Sequence, residues 1–213
     1  MKKLKVPYLK TLDALHLSSI GSLMEEKGHR ESIDVVNWPE YAYKPIVSFD
    51  IARGDQDLYI RYFVRGNALK ASHSVDGSPV HQDSCVEFFM KKPGDDTYMN
   101  FEFNCIGVCD AARRKSKTEK VGLNENEYRM IRRYSTAGRD TFDEKKGLYT
   151  WELVVAIPFS LMGLSTDILP EKINANFYKC ADDTAYPHFV SWNAIDNPTP
   201  NFHLPEFFGE IYF

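Results

Sequence analysis

The chain has no apolar run approaching the ~20 residues that a membrane-spanning helix needs. It has no Cys-X-X-Cys pair, and no histidines follow its cysteines at zinc-finger intervals. The first absence excludes a helical membrane span, and the other two exclude the common zinc modules. Basic excess is missing as well. Lysine and arginine number 26 against 30 acidic residues, for a formal net charge of -4, whereas a nucleic-acid binder shows a basic face. The one basic cluster, Arg113-Arg114-Lys115 with Lys117, is soon followed by Glu119 and has no interleaved aromatics, so it reads as a solvated loop. Cysteine is scarce: Cys85, Cys105, Cys109 and Cys180. Cys85 and Cys105 fall inside strand patterns, where a thiol acts as a small apolar group, so reduced structural cysteines are expected in preference to a disulfide framework. The opening MKKLKVPYLK is basic with no apolar run behind it. As written, the expectation is a cytoplasmic chain, and a secreted or periplasmic one if the N-terminus is a trimmed one.

Helical periodicity is also scarce. Only residues 11–30 suit a helix, with Leu12, Leu15, Ile20, Leu23 and Met24 near one stripe, Asp13 as a cap and Gly28 as a stop. Ser18, Ser19 and Gly21 make an irregular segment nearly as good a reading. Asn37-Trp38-Pro39 marks a turn. Residues 1–37 are therefore expected to be a short helical or irregular extension packed on a single domain, 38–213, with Trp38 helping to pack it.

What the chain does have is strand alternation. Val47, Phe49 and Ile51 alternate, then Leu58, Ile60, Tyr62 and Val64, and the two runs read as a hairpin. Past Gly107, Val108–Arg114 reads as a bent continuation of the preceding strand, and Tyr128–Tyr134 as an arginine-rich edge or outward-facing strand. Gly147 opens a run with Tyr149, Trp151, Leu153, Val155 and Ile157 on one face, ended by Pro158. Phe159–Gly163 suits one helical turn. Ile173, Ala175 and Phe177 alternate next, and Phe207–Phe213 reads as a final strand. Many short strands with turns between them, and no internal repeat, predict an all-β antiparallel sandwich or barrel in one domain.

The central stretch runs from His81 to Gly107. Val86, Phe88 and Met90 share a face of one strand, and Met99, Phe101, Phe103 and Cys105 share a face of the next, across a Pro-Gly-Asp-Asp turn. Glu87, Glu102 and Asn104 then project from the opposite side of the sheet. That side is either a solvated face or a recognition surface whose acceptors and amides meet sugar hydroxyls. A pyranose also needs an aromatic platform for its C–H face. Trp192, in a polar, Pro-rich loop beside Asn193, Asp196 and Asn197, is the candidate, with loop anchoring as its other role; Trp151 alternates with core residues and reads as core.

Other chemistries have weaker support. Glu87 and Glu102 are the candidate pair for a glycoside hydrolase, which requires two carboxyl groups flanking a bond. His73 or Met130 would be the axial ligands of a haem module, and a protein-binding module is a further alternative. His81, His188 and His203 are too widely spaced to suggest a metal set and read as structural or rim residues. Asp182 and Asp183 are candidate oxygen ligands for calcium, with no loop signature around them.

DSCVEFF at Asp83–Phe89, NFEFNCIG at Asn100–Gly107, NFYKCAD at Asn176–Asp182, PHFVSW at Pro187–Trp192 and NFHLPEFFGEIYF at Asn201–Phe213 together resemble the family 9 carbohydrate-binding modules. More closely, they look like stand-alone family 9-like bacterial proteins. The resemblance runs from about Trp38 to the C-terminus. It implies a DOMON-like, jelly-roll type β-sandwich without catalytic machinery. It also implies a saccharide ligand, bound through its reducing end between two tryptophan rings, and structural calcium. Trp192 matches one ring of that clamp and Glu87 the carboxylate. The second ring falls at His81, a smaller polar ring that departs from the pattern. Asn193, Glu102 and Asn104 complete the expected ligand-binding set.

Overall fold

A computed structural model describes residues 1–213. Fourteen strands follow in chain order: β1 (Lys3–Lys5), β2 (His29–Ser32), β3 (Val35–Val36), β4 (Ile46–Arg53), β5 (Asp57–Ala71), β6 (Cys85–Lys91), β7 (Tyr98–Asn104), β8 (Cys109–Arg114), β9 (Lys120–Gly122), β10 (Arg132–Ser135), β11 (Phe142–Pro158), β12 (Lys172–Cys180), β13 (Phe189–Ser191) and β14 (Gly209–Tyr212). Two α-helices, α1 (Leu17–Lys27) and α2 (Glu125–Met130), complete the regular structure with a few short 3-10 turns. One sheet has the order β10-β11-β5-β4-β2. The other runs β1-β14-β12-β6-β7-β8-β9, and β13 and β3 extend it from β12. Neither sheet closes into a barrel, so the sandwich reading holds.

The two inner faces meet in the main core. Alternation puts Phe49, Ile51, Ile60, Tyr62, Leu153 and Val155 of one sheet against Val86, Phe88, Phe101, Phe103 and Phe177 of the other. The Phe49 and Phe177 rings stack 3.8 Å apart across the gap. Full burial of each such side chain stabilises the fold by about 1.5–3 kcal/mol.

Both outer faces are also covered. On the β5 side, Ile20 and Met24 of α1, with Leu12, pack on Ala52, Tyr59, Val154 and Ala156. Below the helix, Arg61 bridges Asp50 and Glu152, each at 2.8 Å. On the β6–β7 side, the segment after β3 lays Trp38, and the loop between β13 and β14 lays Ile195, Phe202 and Phe208, over Cys85, Phe89, Tyr98, Tyr178 and Cys180. This second apolar layer determines where the polar residues of the sheet end up.

The N-terminal segment does more than lie on the sandwich. β1 pairs in parallel with β14, β2 joins the edge of β4, and β3 joins β13. Trp38 is buried in the second layer, and its indole N–H donates to the Asn197 carbonyl at 2.8 Å.

Several local expectations are corrected. Asp13 does not cap α1, whose N-cap is His16. Its carboxylate instead accepts from the Asp55 amide at 2.5 Å and the Tyr59 hydroxyl at 2.9 Å, closing the β4–β5 hairpin. Gly28 does follow the helix. Gly107 has φ 88° and reverses the chain, so β8 is a separate antiparallel partner of β7 instead of its continuation. Tyr128 lies in α2, where Asn124 and Glu127 form a capping box that outweighs the strand-like pattern; only β10 is strand, and it is an edge. β11 starts at Phe142 and passes Gly147, φ 132°, through an irregularity in register. Phe159–Gly163 is a turn, and the terminal strand begins after a 3-10 turn at Pro205–Phe207.

Candidate functional site

β6, β7 and β8 place acidic side chains side by side. Glu87 stands opposite Glu102, and Glu102 opposite Asp110. Glu87 and Glu102 are 2% and 4% exposed, so this is not a solvated sheet face. The reason is the second apolar layer. The loops that cover the sheet leave one opening above the acidic row, a cleft of about 150 Å³ lined by His81, Glu87, Glu102, Lys117, Cys180, Asp182, Phe189, Pro200, Asn201, Phe202 and His203.

The floor is only partly satisfied. Glu87 Oε1 accepts from the Cys180 thiol at 3.0 Å, while Oε2 is buried without a partner. Burial first, and then the neighbouring Glu102 charge, push the Glu87 carboxyl well above the usual carboxylate range. Glu102 is held from two sides. Asn100 Nδ2 donates to its Oε1 at 3.1 Å, and His81 Nδ1 lies 3.7 Å from its Oε2. Asn100 in turn accepts from Arg114 Nε at 2.5 Å, so a polar chain runs from Arg114 to His81 beneath the opening. Contact with Glu102 raises the affinity of His81 for its proton, against the opposing effect of burial. Burial, then the Glu102 charge, also raise Asp110.

The apolar wall is fixed by stacking. Phe202 lies on Tyr178 with centroids 4.1 Å apart and planes 8° from parallel. Tyr41 packs edge-on to Phe189 at 4.8 Å. Tyr98 Oη and His203 Nδ1 are 3.1 Å apart. Burial, and then the charge of Arg114, push His203 down to about 3, so its ring is neutral near neutral pH.

The expected ligand-binding residues therefore divide. His81, Glu87 and Glu102 meet in the cleft. Trp192 does not: it is fully buried between the sheets, edge-on to Phe49 and Phe177 at 6.3 and 5.7 Å. Its indole N–H reaches Glu31 at 3.2 Å. A Cβ on Gly209 would lie 2.5 Å from the Trp192 ring, so the glycine of the FFGEIYF segment makes room for it. Trp192 is a core and loop-anchoring residue, and a sugar cannot stack on it here. Asn104 is consumed by the fold, donating to the His73 carbonyl and Asp83 and accepting from the Val108 amide. Asn193 likewise ties the Lys2 amide to the Phe207 carbonyl.

Phe189, Phe202, Asn201 and Lys117 were missed by sequence reasoning. The signal of the first three lay in the PHFVSW and NFHLP segments, where the tryptophan drew attention from the phenylalanines; Lys117, in a basic stretch that reads as a solvated loop, carried none.

The other chemistries find no support in these positions. Glu87 and Glu102 rise side by side from one floor and do not flank a bond. His73 Nε2 lies 3.3 Å from Gln82 Oε1, and Met130 is exposed, so neither faces an apolar haem pocket. His188 is buried away from the cleft, its Nδ1 2.7 Å from the Tyr186 carbonyl, while His81 and His203 are rim residues. Asp182 lines the cleft, whereas Asp183 is paired with Lys70 at 2.8 Å, so the two do not form the oxygen cage that calcium requires. A wider, open groove of about 720 Å³ lies elsewhere, but its Arg133 is spent on Asp76 at 2.6 and 3.0 Å.

The family model for Carbohydrate-binding family 9 matches residues 19–213. The chain belongs to that family. A crystal structure at 2.70 Å of a Bacteroides uniformis ATCC 8492 protein, to which carbohydrate binding has been attributed, is 34% identical, with a TM-score of 0.93 over 100% of this chain and 99% of that one. A family 9 carbohydrate-binding module of Caldicellulosiruptor kristjanssonii in complex with glucose has a TM-score of 0.65 at 14% identity, covering 99% of this chain and 95% of that one. The same organism's module with cellotriose scores 0.64 at 14% identity, covering 99% and 93%. At that identity these two show the shared β-sandwich. No curated protein matches the chain. Family 9 comprises non-catalytic binding modules, and carbohydrate binding is the function of this chain.

Proposed function

We propose that the cleft above Glu87 and Glu102 holds one terminal sugar ring of a glucose-type saccharide, bound without chemistry. The observation that carries this is Glu87 Oε2: a carboxyl oxygen buried without a partner at the bottom of an aromatic-walled opening. Leaving such an atom unsatisfied costs about 1–3 kcal/mol, and a sugar hydroxyl removes that cost on binding. Glu102 and His81 supply a charge-assisted pair for a second hydroxyl. Phe189 and Phe202 supply flat apolar area for the C–H face.

His81 leaves the site with one less large ring than a two-tryptophan clamp, so stacking is carried by the phenylalanine side. The small volume and closed floor favour the end of a glycan over its middle. The reducing end is the form to test, since the site offers acceptors and a donor to an anomeric hydroxyl. Two solved family 9 modules that hold glucose and cellotriose support the choice of sugar class.

The test is calorimetric titration with glucose, cellotriose and the corresponding alditol. Glu87→Gln should weaken binding roughly fivefold to a hundredfold, in line with about 1–3 kcal/mol for a buried polar partner left unsatisfied, and Phe189→Ala should weaken it through the lost ring area against the sugar's C–H face. The alditol should bind less well than the parent sugar. Unchanged affinity in both variants would place the sugar elsewhere, and silence of the folded protein across xylose, glucose and galactose series would refute the proposal.

A further inference from the structure

The cysteines beneath the cleft form a group that sugar binding does not use. β6 and β12 run antiparallel with Cys85 directly opposite Cys180. Their Sγ atoms and a Glu87 carboxylate oxygen all lie within 4.8 Å of one another, and all three residues are buried. Glu87 Oε1 is 3.0 Å from Cys180 Sγ and 3.9 Å from Cys85 Sγ. Tetrahedral zinc, with Zn–S of about 2.3 Å and Zn–O of about 2.0–2.2 Å, requires S···S near ~3.7 Å and S···O near ~3.5 Å. Small side-chain rotations therefore suffice to bring the three atoms onto one ion.

A second observation points the same way. Glu87 Oε2 is buried without a partner, and both Glu87 and Cys180 line the cleft. The group thus has an entry path and an open position. Behind it, Lys179 is 2% exposed with its Nζ on the Cys180 carbonyl at 2.6 Å, and no carboxylate lies within ion-pairing distance of it. Two thiolates, a carboxylate and a divalent cation sum to one negative charge, which the Lys179 ammonium offsets. Two sulfurs and one oxygen suit a thiophilic ion and exclude the all-oxygen shell of calcium.

We propose that Cys85, Cys180 and Glu87 form a binding site for a thiophilic divalent cation of the zinc class, with its fourth position open to the cleft. The ion displaces the protons of the two thiols, and that of Glu87 when it carries one, and releases them to solvent. Glu87 binds through one oxygen, which leaves its other oxygen free. The inference stands on the cysteine pair and does not need the sugar reading.

The test uses the full chain, reduced and stripped with a chelator. Cobalt(II) serves as a coloured substitute, and zinc is titrated in competition with a chromophoric chelator. One equivalent of cobalt should give thiolate charge-transfer absorption that zinc abolishes. Cys180→Ala and Cys85→Ala should each remove that absorption, and Cys109→Ala, at a buried cysteine outside the group, should keep it. Glu87→Gln, which preserves shape, should retain thiolate absorption but weaken zinc binding at least tenfold. The inference is overturned if the reduced, folded protein takes up no cobalt or zinc, or if the absorption survives loss of both thiols. Glucose titration of the stripped protein separates the two ideas: sugar binding without metal binding refutes only this site, and metal binding without sugar binding refutes only the sugar proposal.

Discussion

Trp192→Ala should be a stability variant, whereas Phe189→Ala should be a binding variant. The Trp192 ring has no exposed surface, packs on Phe49 and Phe177, and touches the backbone at Gly209. Truncating such a ring loses its transfer energy and leaves a cavity, together about 3–5 kcal/mol. The lost bond to Glu31 adds a part-exposed contact of about 0.5–1.5 kcal/mol. For a domain of this size each kcal/mol lowers Tm by roughly 2–4 °C, so a fall of about 7–26 °C is expected in a calorimetric melt. The surviving folded fraction should bind sugar with near-parental affinity at 10 °C, where the variant is well below its melting point. Phe189 is only partly buried at the cleft wall, so its truncation should leave Tm within a few degrees and lose affinity. The reasoning fails if Trp192→Ala melts with the parent and loses sugar binding, because the ring would then be exposed to ligand in solution.

Gly209→Ala puts a methyl group 2.5 Å from the Trp192 ring and 2.8 Å from the Lys2 carbonyl; about 1–3 kcal/mol of destabilisation is expected in urea unfolding. Arg61→Ala leaves Asp50, 1% exposed, with only the partly exposed Arg30 as its ion-pair partner, and should cost about 3–5 kcal/mol by the same assay. His203 is held neutral in the fold, pushed down to about 3, while it protonates near 6.5 when unfolded. Its contribution is therefore full above pH 6.5 and is lost as pH falls toward about 3, at up to ~1.4 kcal/mol per pH unit. Imidazole shifts in NMR should show a neutral ring at pH 5, and a protonated ring there would refute the assignment.

The alternation that builds the main core was legible because inner-face residues obey a period of two: Phe49 with Ile51, Leu153 with Val155, and Ala175 with Phe177 all point inward as read. The outer face of β6 and β7 was not legible. Glu87 and Asn104 have the same spacing whether water or another layer lies above them, and that layer comes from loops about a hundred residues further on. Of the two roles open to Trp192, the sugar platform fails for a related reason. Its neighbours Asn193, Asp196 and Asn197 make the loop look solvated, yet the Trp192 amide donates to the Phe177 carbonyl at 2.8 Å, which continues the edge of the sheet and turns the ring inward. The helix at Tyr128, where the pattern reads as strand, has a local cause: the Asn124–Glu127 capping box outweighs the apolar pattern behind it.

A sheet face that carries Glu87, Glu102 and Asp110 in one row and then buries most of it works against folding, since like charges directly opposite each other repel and burial disfavours ionisation. Packing alone gives no reason for such an arrangement. Tyr178, opposite Glu87 on the other side, would accept an apolar neighbour equally well. Glu87→Met tests whether the carboxyl is there for the fold or for a ligand. Methionine matches glutamate in length and flexibility. It removes the unpartnered Oε2 and relieves Glu102 of an acidic neighbour, while forfeiting only the weak thiol bond from Cys180. The expected result is a protein about 1 kcal/mol more stable than the parent in urea unfolding, with saccharide affinity lost. A variant destabilised by more than 1 kcal/mol would mean that Glu87 supports the fold, and the unpartnered oxygen would no longer argue for a ligand.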